Sequence, residues 1–151
     1  MRVPVALMLS AVLLLPAAHA QSGKTTAPAP GDWPRYGRDL GATRYSPLTQ
    51  INTANVSKLA PAWSFRLRPE GGGSIVSSAT PIVLDNILYI PIGNAIVALE
   101  GDTGKELWRH PVTGGLARRT VSYWAGDKAH AARLYYSTGK VITSISVKTG
   151  Q

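Results

Sequence analysis

Residues 101–110, which read GDTGKELWRH, have the types found in a phosphate-binding loop: a glycine, several polar residues and then Gly-Lys. The Walker pattern also needs a glycine five positions before the second glycine and a Ser or Thr after the lysine. Leu99 and Glu106 occupy those two positions. Because no glycine opens the loop and no hydroxyl is placed to bind magnesium, a nucleotide site is excluded. A structural role is expected for the Thr-Gly-Lys at residues 103–105.

The other chemistry-bearing residues form no catalytic or metal-binding pattern. His110 and His130 have no partners at metal-ligand spacing. Asp127 follows Ala-Gly, a context in which an aspartate is typical of a turn. The chain has no cysteine, which excludes disulfides and thiolate metal sites. These residues therefore supply no candidate base and no candidate metal ligand.

The chain is basic, with 16 Lys and Arg against 8 Asp and Glu. The positive residues are scattered, and Arg118-Arg119 is the one adjacent pair. Nucleic-acid sites instead concentrate positive residues on one face or along one helix. We therefore expect a solvated basic surface and no nucleic-acid partner.

The N-terminus has the layout of a secretory signal peptide. Arg2 precedes an almost wholly apolar run at residues 3–15, and Ala18-His19-Ala20 fits a small-residue cleavage site. The run is too short to span a bilayer, and no charged stop-transfer flank follows it, as a retained anchor would require. We expect residues 1–20 to be a signal peptide cleaved after Ala20, which gives a periplasmic or secreted product. Residues 21–32 hold only small, polar and proline residues, which predicts a disordered leader.

The elements that must position any site are short strands. Four β-rich runs lie at residues 80–84, 87–92, 95–99 and 106–111. Turn formers separate them at 85–86, 93–94 and 101–104, which predicts an antiparallel meander. Residues 33–63 are rich in Gly, Pro and aromatic residues and lack a long helical period.

An internal repeat explains the Thr-Gly-Lys turn. Residues 88–105 can be laid on residues 134–151 without a gap, at an offset of 46. The identical pairs are Leu88/Leu134, Tyr89/Tyr135, Gly93/Gly139, Ile96/Ile142, Thr103/Thr149 and Gly104/Gly150. A period near 46 with four strands per unit is the signature of a β-propeller blade. The sequence therefore predicts an all-β propeller in which Thr-Gly is a turn and Trp108 docks against a neighbouring blade.

Two motifs resemble a known family. Ala98-x-Glu100-x-x-Thr103-Gly104-Lys105-x-x-Trp108 resembles the tryptophan-docking motif of the quinoprotein dehydrogenases, which carry pyrroloquinoline quinone (PQQ); the family's usual aspartate is Glu100 here. In the second copy of this motif, the Ala, Asp and Lys positions are occupied by Ser144, Ser146 and Gln151.

The N-terminal part of residues 33–151 carries the more specific resemblance. Trp33-Pro34-x-Tyr36-Gly37-Arg38-Asp39, then the residues 43–48 and Leu59-x-x-x-Trp63, are similar to the start of the mature PQQ-dependent alcohol and glucose dehydrogenases.

The resemblance implies two cofactor-binding residues. Arg119, followed by Thr120 and then by Tyr123-Trp124, resembles the family's Arg-Gly-x-x-Tyr-Trp segment, whose arginine pairs with a PQQ carboxylate. A planar guanidinium can hold a carboxylate through two parallel hydrogen bonds. A solvated loop arginine is the alternative role. Ser78 falls where the family often has a glutamate that hydrogen-bonds the quinone ring, and a serine can still make one such bond.

The resemblance also implies the architecture and the reaction of the complete protein. It implies an eight-bladed ring, of which this chain holds the first blade and part of the second, so the chain is expected to be an N-terminal fragment. The calcium ligands and the catalytic aspartate are implied for later blades, so no catalytic or metal-binding residue is expected here. The implied reaction oxidises an alcohol, sugar or polyol by hydride transfer to the quinone, with a cytochrome or a quinone as electron acceptor.

One departure bears on the substrate, and one alternative stays open. The alcohol-oxidising branch has an adjacent cysteine pair shortly before the arginine, whereas this chain has residues 113–117, TGGLA, which favours the glucose or polyol branch. The alternative is a non-enzymatic propeller that binds protein partners, since the docking motif also occurs in such proteins. Because repeat arrays bury their core between neighbours, the chain alone is expected to be partly unfolded or aggregated.

Overall fold

The structure is a computed structural model, and it describes residues 27–67, 79–116 and 121–151. The predicted signal peptide, residues 1–20, lies outside the described residues. In the described ranges the chain is built from β-strands, with one turn of 3-10 helix at Val56–Lys58. None of the helical structure in these ranges is long and apolar enough to cross a membrane.

The first sheet is a four-stranded antiparallel meander. Its strands follow chain order: β1 (Ile82–Leu84), β2 (Ile87–Ile92), β3 (Ala95–Glu100) and β4 (Glu106–Pro111). These bounds confirm the four predicted runs, except that β1 begins two residues later and β3 ends one residue later than expected. Asp85 and Asn86 join β1 to β2 with positive φ angles of 47° and 59°, the backbone geometry that two-residue hairpin turns favour.

The second sheet repeats the order of the first with three strands. They are β5 (Ser122–Trp124), β6 (Arg133–Ser137) and β7 (Ile142–Ser146), again antiparallel and in chain order. β6 and β7 correspond to β2 and β3 at the offset of 46 found in the sequence. The sequence repeat therefore corresponds to a repeat in the structure.

Apolar clusters cover both faces of the first sheet. One cluster lies between the two sheets and unites residues of β1, β2 and β3 with Leu134, Tyr136 and Ile145 of the second sheet. The other lies on the far face of the first sheet, where Trp63 and Phe65 pack against β3. β3 is consequently buried along almost its whole length, with five of its six residues inaccessible to solvent. Burial on both faces is what a blade inside a stack of blades requires.

The N-terminal segment lies along the free edge of β1. The backbone N–H and C=O of Trp33 both hydrogen-bond Val83, at 2.7 and 3.0 Å. The Asp32 carboxylate accepts a hydrogen bond from the backbone N–H of Asp85 at 2.9 Å. The Arg38 guanidinium donates to the carbonyls of Pro28 and Ala29. The last residues of the predicted leader, 27–32, therefore contact the folded part of the chain, and residues 21–26 lie outside the described residues.

Alkaline pH is expected to destabilise the fold through Tyr89, whose side chain is almost fully buried between the sheets. Burial, with smaller contributions from Tyr123 and Asp85, raises the pKa of Tyr89 from 10.0 to about 12. Between these two values the unfolded chain loses the phenolic proton while the folded chain keeps it. The free energy of unfolding should therefore fall as the pH rises from 10 to 12.

Urea unfolding of the full-length protein at pH 8 and pH 11 checks this expectation. Tyr89→Phe should lose less stability than the wild type between the two pH values, because it has no phenol to ionise. Tyr45→Phe serves as the control, since Tyr45 is 67% exposed. An equal pH dependence in the wild type and Tyr89→Phe would contradict the assignment.

Candidate functional site

The Thr-Gly-Lys turn has the structural role expected from the repeat. Gly104 has a φ of 69°, and its N–H donates to the carbonyl of Glu100 at 2.8 Å. The indole of Trp63 lies directly against Gly104, so that a Cβ at this position would collide with the ring. The indole N–H donates to the carbonyl of Gly101 at 2.8 Å. Glycine is required here for its backbone conformation and for the approach of the ring.

The same arrangement recurs one repeat later. Trp108 of β4 crosses to the second sheet, where its indole N–H donates to the carbonyl of Val147 at 3.2 Å. Its ring covers Gly150, whose φ is 70° and whose N–H donates to the carbonyl of Ser146. The predicted docking of Trp108 against a neighbouring blade is confirmed.

The docking role of Trp63 was not predicted from the sequence. A signal for it exists, because Trp63 precedes Trp108 by 45 residues, within one residue of the repeat period.

The two residues implied to bind the cofactor, Ser78 and Arg119, lie outside the described residues. Residues that lie close to them in the sequence, and that the structure describes, line a common cleft. A cleft of about 280 Å³ opens where β1 and β5 begin, and its lining includes Thr80, two residues before β1, and Ser122, the first residue of β5. Ser78 precedes Thr80 by two residues, and Arg119 precedes Ser122 by three.

This smaller cleft is suited to an anionic ligand. Arg35 brings a positive charge to its lining, and Thr80, Ser122 and Tyr123 bring hydroxyl groups. No carboxylate is among the lining residues that the structure describes. Burial raises the pKa of Tyr123, and the charge of Asp32 raises it further, so the phenol stays protonated and can donate a hydrogen bond. The donor set fits a group that carries carboxylates and carbonyl oxygens.

A larger cleft of about 700 Å³ opens at the opposite ends of β1 and β5. Asp32, Asp39 and Asp85 are among its lining residues. Two of the three carboxylates are engaged in local structure: Asp32 accepts from the backbone of Asp85, and Asp39 accepts from the backbone N–H and hydroxyl of Thr43. The hydrogen bonds from Thr43 hold the pKa of Asp39 below its ordinary value.

The two histidines in the described residues, His110 and His130, each contact one polar side chain. His110 and Tyr136 join β4 to β6 through an Nε2–Oη distance of 2.9 Å. His130 contacts Asp127, whose carboxylate also accepts the backbone N–H groups of Ala129 and His130, each at 2.8 Å. These hydrogen bonds hold the pKa of Asp127 below its ordinary value, and the bond from the backbone N–H of Ala129 contributes most. Asp127 is therefore the turn residue that the sequence predicted. In the described part of the chain, no three carboxylate, histidine or cysteine groups are placed to hold a metal ion.

Comparison with known proteins agrees with this architecture. The family model "PQQ: Glucose/ethanol/alcohol dehydrogenase, beta-propeller domain" matches residues 33–151. The chain is 37% identical to the dehydrogenase subunit of the quinone-type alcohol dehydrogenase of Gluconobacter oxydans (strain 621H), over 91% of this chain and 19% of that protein. It is 40% identical to the quinoprotein glucose dehydrogenase of Escherichia coli (strain K12), over 52% of this chain and 11% of that protein.

A solved structure gives the same result. The crystal structure of quinohemoprotein alcohol dehydrogenase from Comamonas testosteroni superposes with a TM-score of 0.64 at 31% identity, covering 80% of this chain and 18% of that one. The chain thus spans about a fifth of the length of the Gluconobacter oxydans and Comamonas testosteroni proteins. The prediction of an all-β, partial propeller is confirmed. This chain belongs to the PQQ β-propeller family of glucose, ethanol and alcohol dehydrogenases.

Proposed function

We propose that the chain is the N-terminal portion of an exported, PQQ-dependent dehydrogenase that oxidises an alcohol, a sugar or a polyol. The observation that carries this proposal is the family match over residues 33–151, together with relatives named as alcohol and glucose dehydrogenases. When bound, PQQ supplies a quinone that accepts the hydride of the substrate. Calcium, whose ligands are expected downstream of this chain, would polarise the quinone carbonyl as a Lewis acid.

We propose that Arg119 and Ser78 hold the cofactor. The support is chemical and positional: both residues come shortly before strands whose first residues line the smaller cleft, and that cleft offers hydrogen-bond donors and no described carboxylate. A guanidinium can hold a carboxylate of PQQ by two parallel hydrogen bonds, and a serine hydroxyl can make one bond to the ring. The tasks of these two residues are to bind and orient the cofactor.

The substrate proposal favours a sugar or polyol, since the chain has no cysteine and so lacks the adjacent pair of the alcohol-oxidising branch. The relatives include both classes, with quinone-type alcohol dehydrogenases and glucose dehydrogenases among them. Names such as "Alcohol dehydrogenase (quinone)" and "1-butanol dehydrogenase (cytochrome c)" support a quinone or a cytochrome as the electron acceptor. Export by a signal peptide cleaved after Ala20 would place the protein in the periplasm or outside the cell.

The proposal is tested by reconstitution. The full-length protein, stripped of cofactor, is mixed with PQQ and Ca²⁺, and reduction of an artificial electron-acceptor dye is followed with glucose, a polyol and ethanol. We expect dye reduction that requires PQQ and is faster with glucose or the polyol than with ethanol. PQQ binding is measured separately by the change in its fluorescence. Absence of both PQQ binding and dye reduction would instead support a protein-binding propeller.

A further inference from the structure

Residues 32–36, here called the edge segment, lie beside the first strands of both sheets. Trp33 pairs with Val83 of β1 through two backbone hydrogen bonds. Pro34 and Arg35 share the lining of two clefts with Tyr123 of β5. The edge segment is therefore in contact with β1 and borders the same clefts as β5.

The position of β1 and β5 in a propeller places the edge segment at its axis. The four-stranded sheets of a propeller are arranged around a central channel. β1 and β5 are the first strands of their sheets, and in the described ranges they border common clefts. The opposite edge of the first sheet is β4, where Glu106 and Arg109 are exposed to solvent. Because radiating sheets come closest to one another at the channel, we infer that β1 and β5 line it. Further blades would complete the ring around the edge segment and leave its pairing with β1 unchanged.

The edge segment separates the two clefts along this channel. The smaller cleft opens where β1 and β5 begin, which is the end that Ser78 and Arg119 precede in the sequence. The larger cleft opens at the opposite ends of the same two strands. Pro34, Arg35 and Tyr123 line both clefts and so form the wall between them.

Contacts on both sides of the wall hold it in place. The Asp32 carboxylate accepts a hydrogen bond from the backbone N–H of Asp85, in the turn after β1, at 2.9 Å. Arg38, just beyond the edge segment, is only 7% exposed, and its guanidinium donates to the carbonyls of Pro28 and Ala29. The chain before the edge segment is thereby tied to the chain after it.

We propose that the edge segment closes the central channel on one side of the cofactor, so that PQQ enters and leaves through the other end only. This inference rests on the proposed PQQ site near Ser78 and Arg119. A wall held by a few hydrogen bonds opens locally at a rate that those bonds determine. Weakening them should therefore open a second path and speed the release of PQQ, without any change in the residues proposed to hold the cofactor.

Asp32→Ala in the full-length protein tests this closure, because it removes the hydrogen bond to Asp85. The protein is loaded with PQQ and Ca²⁺ and diluted, and the release of PQQ is followed by the change in its fluorescence. We expect release to be about tenfold faster than in the wild type, as for the loss of about 1.4 kcal/mol from one hydrogen bond to a charged group.

Asp102→Ala is the matched control. The Asp102 carboxylate also accepts one hydrogen bond at 2.9 Å, from the side chain of Asn86, but it is not among the described lining residues of either cleft. Its release of PQQ should equal that of the wild type.

Hydrogen exchange followed by mass spectrometry provides a readout without PQQ. The backbone N–H groups of Val83 and Asp85 donate to Trp33 and Asp32, so peptides that span residues 82–86 should exchange faster in Asp32→Ala than in the wild type. Faster exchange with an unchanged rate of PQQ release would overturn the closure and leave the proposed PQQ site in place. Equal exchange in the two proteins would show that Asp32 does not hold the edge segment, which also overturns the proposal. A wild type that binds no PQQ would contradict the proposed function and the closure together.

Discussion

Trp108→Ala is expected to lower the free energy of unfolding by about 3 kcal/mol, the low end of the range for large-to-small substitutions of packed aromatic residues. Trp108 is partly exposed, but it is the side chain that ties β4 of the first sheet to the last turn of the second. Its removal would lose the hydrogen bond to Val147, the cover over Gly150 and the contact with Tyr89, whose ring centroid lies 5.8 Å away.

Urea denaturation of the full-length protein at one fixed protein concentration measures this effect, since any association makes apparent stability depend on concentration. Leu107→Ala is the control, because Leu107 is the next residue along β4 and is 44% exposed. Trp108→Phe restores part of the packing but not the hydrogen bond. Its free energy of unfolding should therefore lie between those of Trp108→Ala and Leu107→Ala. If Trp108→Ala and Leu107→Ala were equally stable, the indole would not join the sheets.

Arg119→Ala is expected to reduce the affinity for PQQ at least tenfold. If the guanidinium holds a carboxylate of the cofactor, its removal leaves a partly buried anion unpaired, at a cost of about 2–5 kcal/mol. Each 1.4 kcal/mol corresponds to about a tenfold change in affinity. Arg119→Lys should restore only part of the loss, because an ammonium group cannot reproduce the two parallel hydrogen bonds of a guanidinium.

The measurement is the reconstitution of the full-length apo-protein with PQQ in the presence of calcium. Arg118→Ala provides the matched control: it removes the same charge from the adjacent position, to which no cofactor contact is assigned, so it should change the affinity much less. Equal affinities for the two alanine variants would contradict the assignment of Arg119 to the cofactor site. They would not contradict the propeller fold.

The strands and turns of the first sheet can be predicted from local sequence. The β-rich runs and the turn formers between them follow from preferences within a few residues, as at Asp85-Asn86, where both residues adopt positive φ. The docking of Trp108 could also be predicted, because two copies of one pattern at an offset of 46 imply equivalent units that pack on each other. The resemblance to the dehydrogenase family indicated the cofactor residues Ser78 and Arg119, whose roles stay predictions.

Contacts between distant parts of the chain appear only in the tertiary structure. Trp33 pairs with Val83, and Trp63 reaches Gly101, across separations of 50 and 38 residues. No local preference encodes these partners, because each depends on which edge or face is left open once the sheets have formed. The smaller cleft has the same origin: Ile82 and Ser122 begin strands of different sheets, and they meet because the apolar faces of both sheets are buried against each other.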